Sequence, residues 1–232
     1  MTSATLYVSV PAASFRVAQA RELFETYPVP PPATVFGMLL SLVGEANRLR
    51  HAGAELGLAM LSEPSRSVVL RKVWRIKSPK NDPGVKDNCR PDFQELLSDI
   101  RLAVWVRSGP NEAQPALADR VVAALASPAS IQRFGGLSLG ESTHLVDELR
   151  GWRHGDAERG RVLVNDPEGD LALPVWPDHV GSRGTRWAQF RLAEGDLALA
   201  PPPAAWTRID PPPVPAAAPP RARGRRRASQ PP

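Results

Sequence analysis

The sequence predicts an α+β domain: a ferredoxin-like or RRM-like unit that carries a protruding β-hairpin and a small C-terminal β extension. Two observations lead to this prediction. Several short segments are rich in β-branched and aromatic residues or alternate apolar and polar residues, and two others carry apolar residues at helical spacing. Their order is strand, helix, strand, strand, helix, and further short strands follow.

The N-terminal segment predicts a strand, a stiff connector and a buried helix. Apolar and polar residues alternate over 6–10, which is the period of a half-buried strand. The four prolines that follow restrict the backbone to extended conformations; they are Pro28, Pro30, Pro31 and Pro32. A broad apolar face then predicts a helix from Ala33 to about Arg50. We expect Gly37 and Gly44 to be positions where this helix packs closely against a sheet.

The rest of the chain contains one more predicted helix and several predicted strands. The helix covers 115–126 and is stopped by Pro128. The predicted strands are 56–61, 67–76, 100–106, 161–164, 171–176 and 187–192. Turn-forming residues at 77–93 indicate a long mobile loop or the tip of a hairpin, and 18–26 is interpreted as a loop or a short helix. From residue 201 the composition becomes proline, alanine and arginine, so 201–232 is predicted to be a disordered tail outside a domain of 1–200.

Charge and composition limit the possible functions. The net charge of +5 comes from the tail, where six arginines face a single aspartate, and the body is neutral. A single cysteine, Cys89, excludes an internal disulfide or a cysteine-based metal site, and the four histidines lack ligand spacing. We therefore expect no metal and no cofactor. We also expect no membrane contact and a cytoplasmic location, because no apolar run is long enough to cross a bilayer and no secretory signal is present.

The densest basic cluster lies between Arg66 and Arg90, with eight basic residues against Asp82 and Asp87. It contains every lysine of the chain, and in a strand its basic side chains would occupy both faces. Such a strand suits a hairpin that projects from the domain and follows a phosphate backbone, with Trp74 available to stack on a base. The alternative is a solvated edge strand that lysine protects from aggregation.

A glycine-rich segment, RFGGLSLGES at 133–142, is the second candidate. Glycines let backbone N–H groups approach an anion or a nucleic-acid backbone closely. The segment matches no nucleotide-binding fingerprint, and a tight turn is the alternative. The arginine-rich end of the tail could bind nucleic acid non-specifically, although we interpret it as a dispensable extension.

Three stretches resemble the CRISPR-associated RAMP proteins of Cas family five, which cap the 5′ end of the guide RNA in type I Cascade complexes. They are SFR at 14–16, YPVPPPATVFGMLLSLVGEA at 27–46 and GGLSLGES at 135–142. The proline-rich turn that runs into Thr34-Val35-Phe36-Gly37 is the most specific part. The resemblance spans roughly residues 6–192 and is greatest to the DevS-like branch of the family.

The resemblance implies a RAMP domain of RRM-like fold, with a β-hairpin called the thumb at about 66–106 and a glycine-rich loop at Gly135, Gly136 and Gly140. Its implied role is to hold the repeat-derived 5′ handle of the guide RNA. The implied partners are the guide RNA, the Cascade backbone subunit and the large subunit, with target DNA reached through the complex. The residues expected to contact RNA are Arg16, Arg71, Lys72, Trp74, Arg75, Lys77, Lys80, Lys86, Arg90, Arg133, Gly135, Gly136 and Gly140.

The sequence favours a non-catalytic subunit. One branch of the family cleaves precursor guide RNA without a metal, using tyrosine, lysine and histidine, and such cleavage needs a base and an acid. Here no lysine stands beside a histidine, and His51, His144 and His154 are interpreted as structural or surface residues. Two alternatives stay open: a metal-independent endoribonuclease that uses His144 or His51, and a free-standing RNA-binding module.

Overall fold

The computed structural model describes residues 2–18, 20, 23–74, 77–178, 184–198 and 200–213. Within these ranges the chain forms ten strands, two α-helices and several short 3₁₀ turns. The strands are β1 Ser3–Ala13, β2 Leu23–Phe24, β3 Glu55–Met60, β4 Ser65–Trp74, β5 Cys89–Arg107, β6 Glu148–Gly151, β7 Arg159–Asn165, β8 Leu171–Trp176, β9 Arg186–Asp196 and β10 Thr207–Arg208. The helices are α1 Pro32–Leu42 and α2 Leu117–Ala126.

The strands form one curved, mostly antiparallel sheet in the order β6-β1-β5-β3-β7-β9-β8. Strands β4 and β10 pair with β5 and β3, and β2 makes the one parallel pairing recorded in the described chain, with β5. Helix α1 connects β1 to β3, and α2 connects β5 to β6. The predicted α+β class is therefore confirmed.

Strand β1 has the period-two burial that its sequence predicts. Leu6, Val8 and Val10 are fully buried under the helices, while the intervening side chains lie on the other face of the sheet. In β5, Val104 joins the same core, whereas Trp105 belongs to a second, smaller cluster on the opposite face. The sheet thus buries apolar side chains on both faces near its centre.

Helix α1 is buried on most of its surface because β3, β8 and helix α2 all pack against it. Its side chains pack against the central strands and against β8, where the rings of Phe36 and Trp176 are 6.2 Å apart. The helix ends at Leu42, so the predicted extension to Arg50 is wrong. Gly44 stops it by adopting a φ of +65°, which favours glycine.

The two glycines of this segment differ, although both were predicted to be packing positions. A Cβ on Gly44 would lie 2.3 Å from the carbonyl oxygen of Gln132, so the close approach there is real, to a loop rather than to the sheet. A Cβ on Gly37 would meet nothing within 4 Å, because this face of the helix is exposed. The prediction for Gly37 is wrong.

The predicted boundary at residue 200 is also wrong. Residues Pro203–Ala205 form a 3₁₀ turn and β10 pairs with β3, with Ala205, Thr207 and Ile209 buried. A few apolar side chains among the prolines suffice to dock this segment, because β3 offers it a free edge. The rest of the predicted tail, 214–232, lies outside the described residues.

The remaining elements agree with the predictions in type and differ in their bounds. Strands β3, β7, β8 and β9 and helix α2 lie at the predicted places, and 18–26 contains the short strand β2. Neither described helix, at 11 and 10 residues, is long or apolar enough to cross a membrane.

Candidate nucleic-acid interface

Strand β4 and the first half of β5 form a long antiparallel hairpin, with Ser65 opposite Ser98 at its base and Trp74 opposite Cys89 near its tip. On the other side of β5, β1 stops at Ala13 opposite Leu97, and beyond that point only the two residues of β2 pair with it. The hairpin therefore continues past the end of β1. The predicted range 66–106 includes the second half of β5, which belongs to the central sheet.

The tip of the hairpin is ordered around one buried side chain, Asn88. Its Oδ1 accepts hydrogen bonds from the backbone N–H groups of Lys77 and Ser78, each at 2.8 Å. Its Nδ2 donates to the carbonyl oxygens of Ser78 and Asn81 at 2.8 and 2.6 Å. Of the two alternatives predicted for 77–93, the hairpin tip is correct, and β5 already begins at Cys89.

Trp74 lies at this tip with one face supported and the other accessible. A Cβ on Gly84 would lie only 2.5 Å from the indole ring, so the ring rests directly on the glycine. The side chain is nevertheless 67% exposed. A braced, exposed indole is well suited to stacking on a flat ligand.

The basic side chains of the hairpin fall into two groups. Three arginines are held by carboxylates: Arg66 by Glu95 at 2.8 Å, Arg71 by Glu141 at 2.8 Å, and Arg90 by Asp92. The four lysines are exposed and make no ion pair within the described part of the chain; they are Lys72, Lys77, Lys80 and Lys86. Arg75 lies outside the described residues. The charge available to a ligand is therefore concentrated in the lysines.

The two faces of the hairpin are different, although each carries basic side chains as predicted, Arg71 on one face and Lys72 on the other. Leu23, Val68, Leu70 and Phe93 form an apolar stripe on one face, and Lys72 and Trp74 continue the same row of side chains toward the tip. The last three of these apolar side chains are 55%, 65% and 53% exposed. Exposed apolar side chains grouped in this way are typical of a protein-docking surface.

The glycine loop, residues 133–142, forms a turn that packs against the end of β1. Gly140 has a φ of +99°, and a Cβ there would lie 2.8 Å from the carbonyl oxygen of Ser14. Gly135 also has a positive φ, and Gly136 lies close to the side chain of Leu145. Gly140 therefore lies in a tight turn, and its contact with RNA stays a prediction.

His144 fastens this turn to β1. Its Nδ1 accepts hydrogen bonds from the backbone N–H groups of Ser14 at 3.3 Å and Glu141 at 3.1 Å. Burial lowers the pKa of His144, and the nearby carboxylate of Glu141 opposes this shift. The ring is therefore held as the neutral tautomer that carries its proton on Nε2. Its Nδ1 lone pair is engaged by these two backbone N–H groups.

Glu141 joins the glycine loop to the hairpin. One carboxylate oxygen accepts a hydrogen bond from Arg71 at 2.8 Å, and the other accepts from Nε2 of Gln94 on β5, also at 2.8 Å. Gln94 is almost fully buried. The predicted loop and the predicted hairpin thus lie side by side, on the hairpin face opposite the apolar stripe.

Arg16 lies near the base of the same hairpin. Its guanidinium stacks over the ring of Phe24 at 3.9 Å, and its backbone pairs with Thr26. The N–H of Thr26 donates to Glu95 at 3.0 Å, the carboxylate that also holds Arg66. The SFR segment is therefore linked to the hairpin through Thr26.

Arg133 and Phe134 lie at the other end of the glycine loop. Arg133 is exposed and lines a cavity of ≈ 430 Å³ between the loop, the end of α2 and β6. Phe134 is fully exposed. Contacts to the hairpin come from the Gly140 end of the loop, through Glu141.

Sequence reasoning missed Asn88, Glu141 and Phe134 as residues that shape this surface. An asparagine in a turn-rich stretch and a glutamate after a glycine were the available signals. Neither signal reveals a partner 47 residues away along the chain, as Gln94 is from Glu141.

His51, the other candidate base, is fully buried in a network away from this surface. Arg120 donates to its Nε2 at 2.9 Å, because a guanidinium cannot accept, and its Nδ1–H donates to Glu112 at 2.8 Å. Arg120 also donates to Glu45 and to the carbonyl oxygen of Val43 at the end of α1. Both ring nitrogens of His51 are therefore hydrogen-bonded to side chains of the folded protein.

Comparison with known proteins assigns the chain to a family. No protein-family model matches it. A relative from Myxococcus xanthus (strain DK1622), CRISPR-associated protein Cas5, is 48% identical over 192 residues, which cover 82% of this chain and 89% of the relative. A chain of a solved CRISPR RNA-guided surveillance complex superposes with a TM-score of 0.59 at 18% identity, covering 84% of this chain and 90% of that chain, and so has a similar fold. The resemblance predicted from the sequence is thus confirmed, and the protein belongs to the Cas5 family of CRISPR-associated proteins.

Proposed function

We propose that this protein is a non-catalytic subunit of a type I CRISPR Cascade complex and that it binds and caps the 5′ handle of the guide RNA. Membership of the Cas5 family supports a role in CRISPR defence. The structural neighbour, a chain of a CRISPR RNA-guided surveillance complex, supports assembly with RNA. In this proposal target DNA is recognised by pairing with the guide, and the protein reads RNA shape and ends.

The observation that carries the proposal is the contact of Glu141 with Arg71 and Gln94. It couples a hairpin that carries exposed lysines to a turn in which Gly140 is exposed and has no side chain to cover its backbone. An RNA strand held between them would meet positive charge on one side and close backbone approach on the other. The coupling keeps the two parts of this grip at a fixed separation.

The topology supports the ferredoxin-like assignment and the role of the hairpin as the thumb. Strands β6, β1, β5 and β3 are neighbours in that order, each pair is antiparallel, and the two helices connect them as in that fold. The hairpin is inserted between the second and third of these strands along the chain. In our proposal it separates the handle from the spacer part of the guide.

We assign different roles to the predicted RNA-contacting residues. Trp74 stacks on a base, and the exposed lysines contact phosphates as flexible point charges. Arg66, Arg71 and Arg90 position the hairpin through their carboxylates and offer the RNA only their remaining N–H groups. Gly140 provides backbone access. Contacts from Arg16, Arg75, Arg133, Gly135 and Gly136 belong to the same proposal.

The apolar stripe, nearer the base of the hairpin than Lys72 and Trp74, supports a protein partner on the hairpin face opposite the glycine loop. Leu70 and Phe93 lie opposite each other there and expose about half or more of their surface. A neighbouring subunit that covers them would remove this apolar area from water. We propose the Cascade backbone subunit or the large subunit as that neighbour.

The histidine geometry favours the non-catalytic role over the endoribonuclease alternative. RNA cleavage without a metal needs a side chain whose lone pair can accept the 2′-hydroxyl proton. The lone pairs of His51 and His144 are occupied by Arg120 and by two backbone N–H groups. Incubation of the pure protein with a repeat RNA hairpin is expected to give no cut product, and a defined cut would contradict this assignment.

Charge reversal at the hairpin tests RNA binding. The double variant Lys72→Glu, Lys77→Glu should retain at least tenfold less guide RNA when the complex is purified after co-expression with its neighbouring genes and a repeat array. If two phosphate contacts are lost, the slope of the logarithm of the RNA-binding constant against the logarithm of the salt concentration should become less negative by about 1.4. The matched control is Arg153→Glu, Arg159→Glu, which makes the same change of charge at exposed positions outside the hairpin. Equal retention by both variants would contradict the proposed interface.

A further inference from the structure

An open groove of ≈ 1030 Å³ lies on the sheet face opposite the helices. We call it the tryptophan groove because Trp105, Trp152 and Trp206 line it, together with Pro110 and Pro201. Trp105 is buried at its floor, while Trp152 and Trp206 are partly exposed. Its volume is at the upper end of the range for ligand sites, and the RNA interface proposed above does not use it.

The charges of the tryptophan groove do not favour nucleic acid. Arg107 is the one arginine in its lining, and its Nε donates to Glu55 at 2.6 Å while its guanidinium stacks on Trp206 at 4.0 Å. Binding of a phosphate backbone depends on cations that are free to neutralise it. An aromatic groove without spare positive charge instead suits a proline-rich peptide, since a polyproline II segment is preformed and packs on aromatic rings.

The chain itself supplies such a segment beside the groove. Its proline-rich stretch starts at Pro201 in the groove wall, and Ala205 packs next to Trp105 over the sheet. The described chain ends at Pro213, and VPAAAPP follows at 214–220. Seven residues in polyproline II conformation span about 22 Å.

The C-terminal strand also lies beside the groove. Arg208 of β10 pairs with Glu55, and both Glu55 and Trp206 line the groove, so β10 begins at its rim. Beyond β10, Ile209 is buried in the main core, and Arg186 donates to the carbonyl oxygens of Arg208 and Asp210. The segment that follows Pro213 therefore starts a short distance from this rim.

We propose that the tryptophan groove binds the proline-rich segment 214–220 of the same chain in an extended conformation. Prolines and alanines of the segment cover Trp152 and Trp206. The arginines at 221–227 are thereby held at this face of the domain. The function of the arginine-rich end then depends on the groove, and the RNA proposal does not depend on it.

Competition between a free peptide and the attached segment tests the inference. A labelled synthetic peptide of residues 211–232 is titrated by fluorescence anisotropy into the full chain and into a chain truncated after Pro213, which keeps every described strand and helix. An attached segment has an effective concentration of about 1 mM. If the peptide binds the truncated chain with a Kd of about 100 μM, the full chain should therefore bind it about tenfold more weakly.

Two groove variants give matched controls. Ala200→Trp fills the groove from an exposed position, and Trp152→Ala removes an aromatic wall; both should abolish peptide binding by the truncated chain. Trp187→Ala, at a partly exposed tryptophan on β9 outside the groove, should leave it unchanged. A peptide with every proline replaced by alanine and every arginine kept should bind at least tenfold more weakly.

Several outcomes would overturn the inference. Equal binding of the peptide by the full and truncated chains would show that the attached segment does not occupy the groove. Equal binding of the alanine peptide would assign the interaction to charge. If a single-stranded oligonucleotide displaces the peptide, and Ala200→Trp abolishes binding of both the peptide and the oligonucleotide, the groove is a nucleic-acid site. If the full chain forms oligomers that depend on concentration, the segment is exchanged between copies.

Discussion

Glu141 and Asn88 are two polar side chains on which the geometry of the interface depends. Asn88, at the start of the returning strand, satisfies backbone groups of the segment that precedes it at the tip, so a stretch rich in turn formers has one arrangement. Glu141 uses both oxygens to connect two segments that are far apart in the chain. Each side chain makes hydrogen bonds that several polar groups would otherwise make with water. Its removal should therefore lower the free energy of unfolding more than the removal of an exposed charge does.

The stability of the glycine loop should depend on pH through His144. Burial lowers the pKa of His144 from its usual 6.5, so the folded protein favours the neutral ring. The unfolded chain therefore binds more protons below pH 6.5, and the free energy of unfolding should fall as the pH drops through that window. Urea unfolding between pH 5 and pH 8 measures this slope.

The variant His144→Asn provides the comparison. Its Oδ1 can accept the same backbone N–H groups without titrating, so the slope below pH 6.5 should be smaller than in the wild type. The control His154→Asn changes an exposed histidine outside this network and should keep the wild-type slope. An unchanged slope in His144→Asn would contradict the role assigned to this ring.

At the scale of elements, helix α1 shows why similar residues in one sequence motif have different roles. Gly37→Ala should raise the free energy of unfolding by about 0.5–1 kcal/mol, because the position is exposed, helical and unobstructed. Gly44→Ala should lower it by about 1–3 kcal/mol, because the backbone has a positive φ and the Cβ would collide with Gln132. Urea unfolding of both variants checks this, and the same sign in both would contradict the account of the helix end.

The pairing of charges on the hairpin could not be predicted from the sequence. The hairpin itself follows from β-branched residues around a run of turn formers, which is local information. Its ion pairs do not, because Glu95 and Glu141 bind Arg66 and Arg71 only in the folded chain, one pair on each face. Alternation in the sequence predicts basic residues on both faces but does not show which of them a carboxylate holds.

The apolar stripe should matter for assembly and very little for folding. In Leu70→Ser with Phe93→Ser the free energy of unfolding should change by less than about 1 kcal/mol, because both side chains are exposed. Co-purification with the neighbouring subunits should be lost, since the apolar contact area is removed. The control Leu49→Ser alters a leucine that is 60% exposed on a 3₁₀ turn outside the hairpin. Normal assembly of the double variant would contradict the docking role.

At the scale of the whole molecule, the sequence predicts the class of fold and the order of its main elements. Periodicity is sufficient for β1, α2 and β7 to β9, whose burial follows their local pattern. It fails for the C-terminal segment around Ile209, where docking depends on the free edge of β3. It fails for the end of α1, where the conformation of Gly44 outweighs the apolar pattern that continues beyond it.

The hairpin and the glycine loop could each be predicted from the residues. That the two lie close together could be predicted only from the family resemblance. Nothing in the spacing of residues 71 and 141 indicates contact, because strand pairing brings them together across the whole domain. The tryptophan groove could not be predicted either, since it assembles from the ends of β1, β3 and β5 and from the C-terminal segment.

The most direct test of the account is photo-crosslinking of the purified complex, assembled on a guide RNA that carries 4-thiouridine in its 5′ handle, followed by mass spectrometry of this subunit. The account predicts crosslinks to the hairpin tip around Trp74 and Lys77 and to the glycine loop near Gly140. Crosslinks confined to the tryptophan groove or to the helix face, with none at the hairpin or the loop, would contradict it.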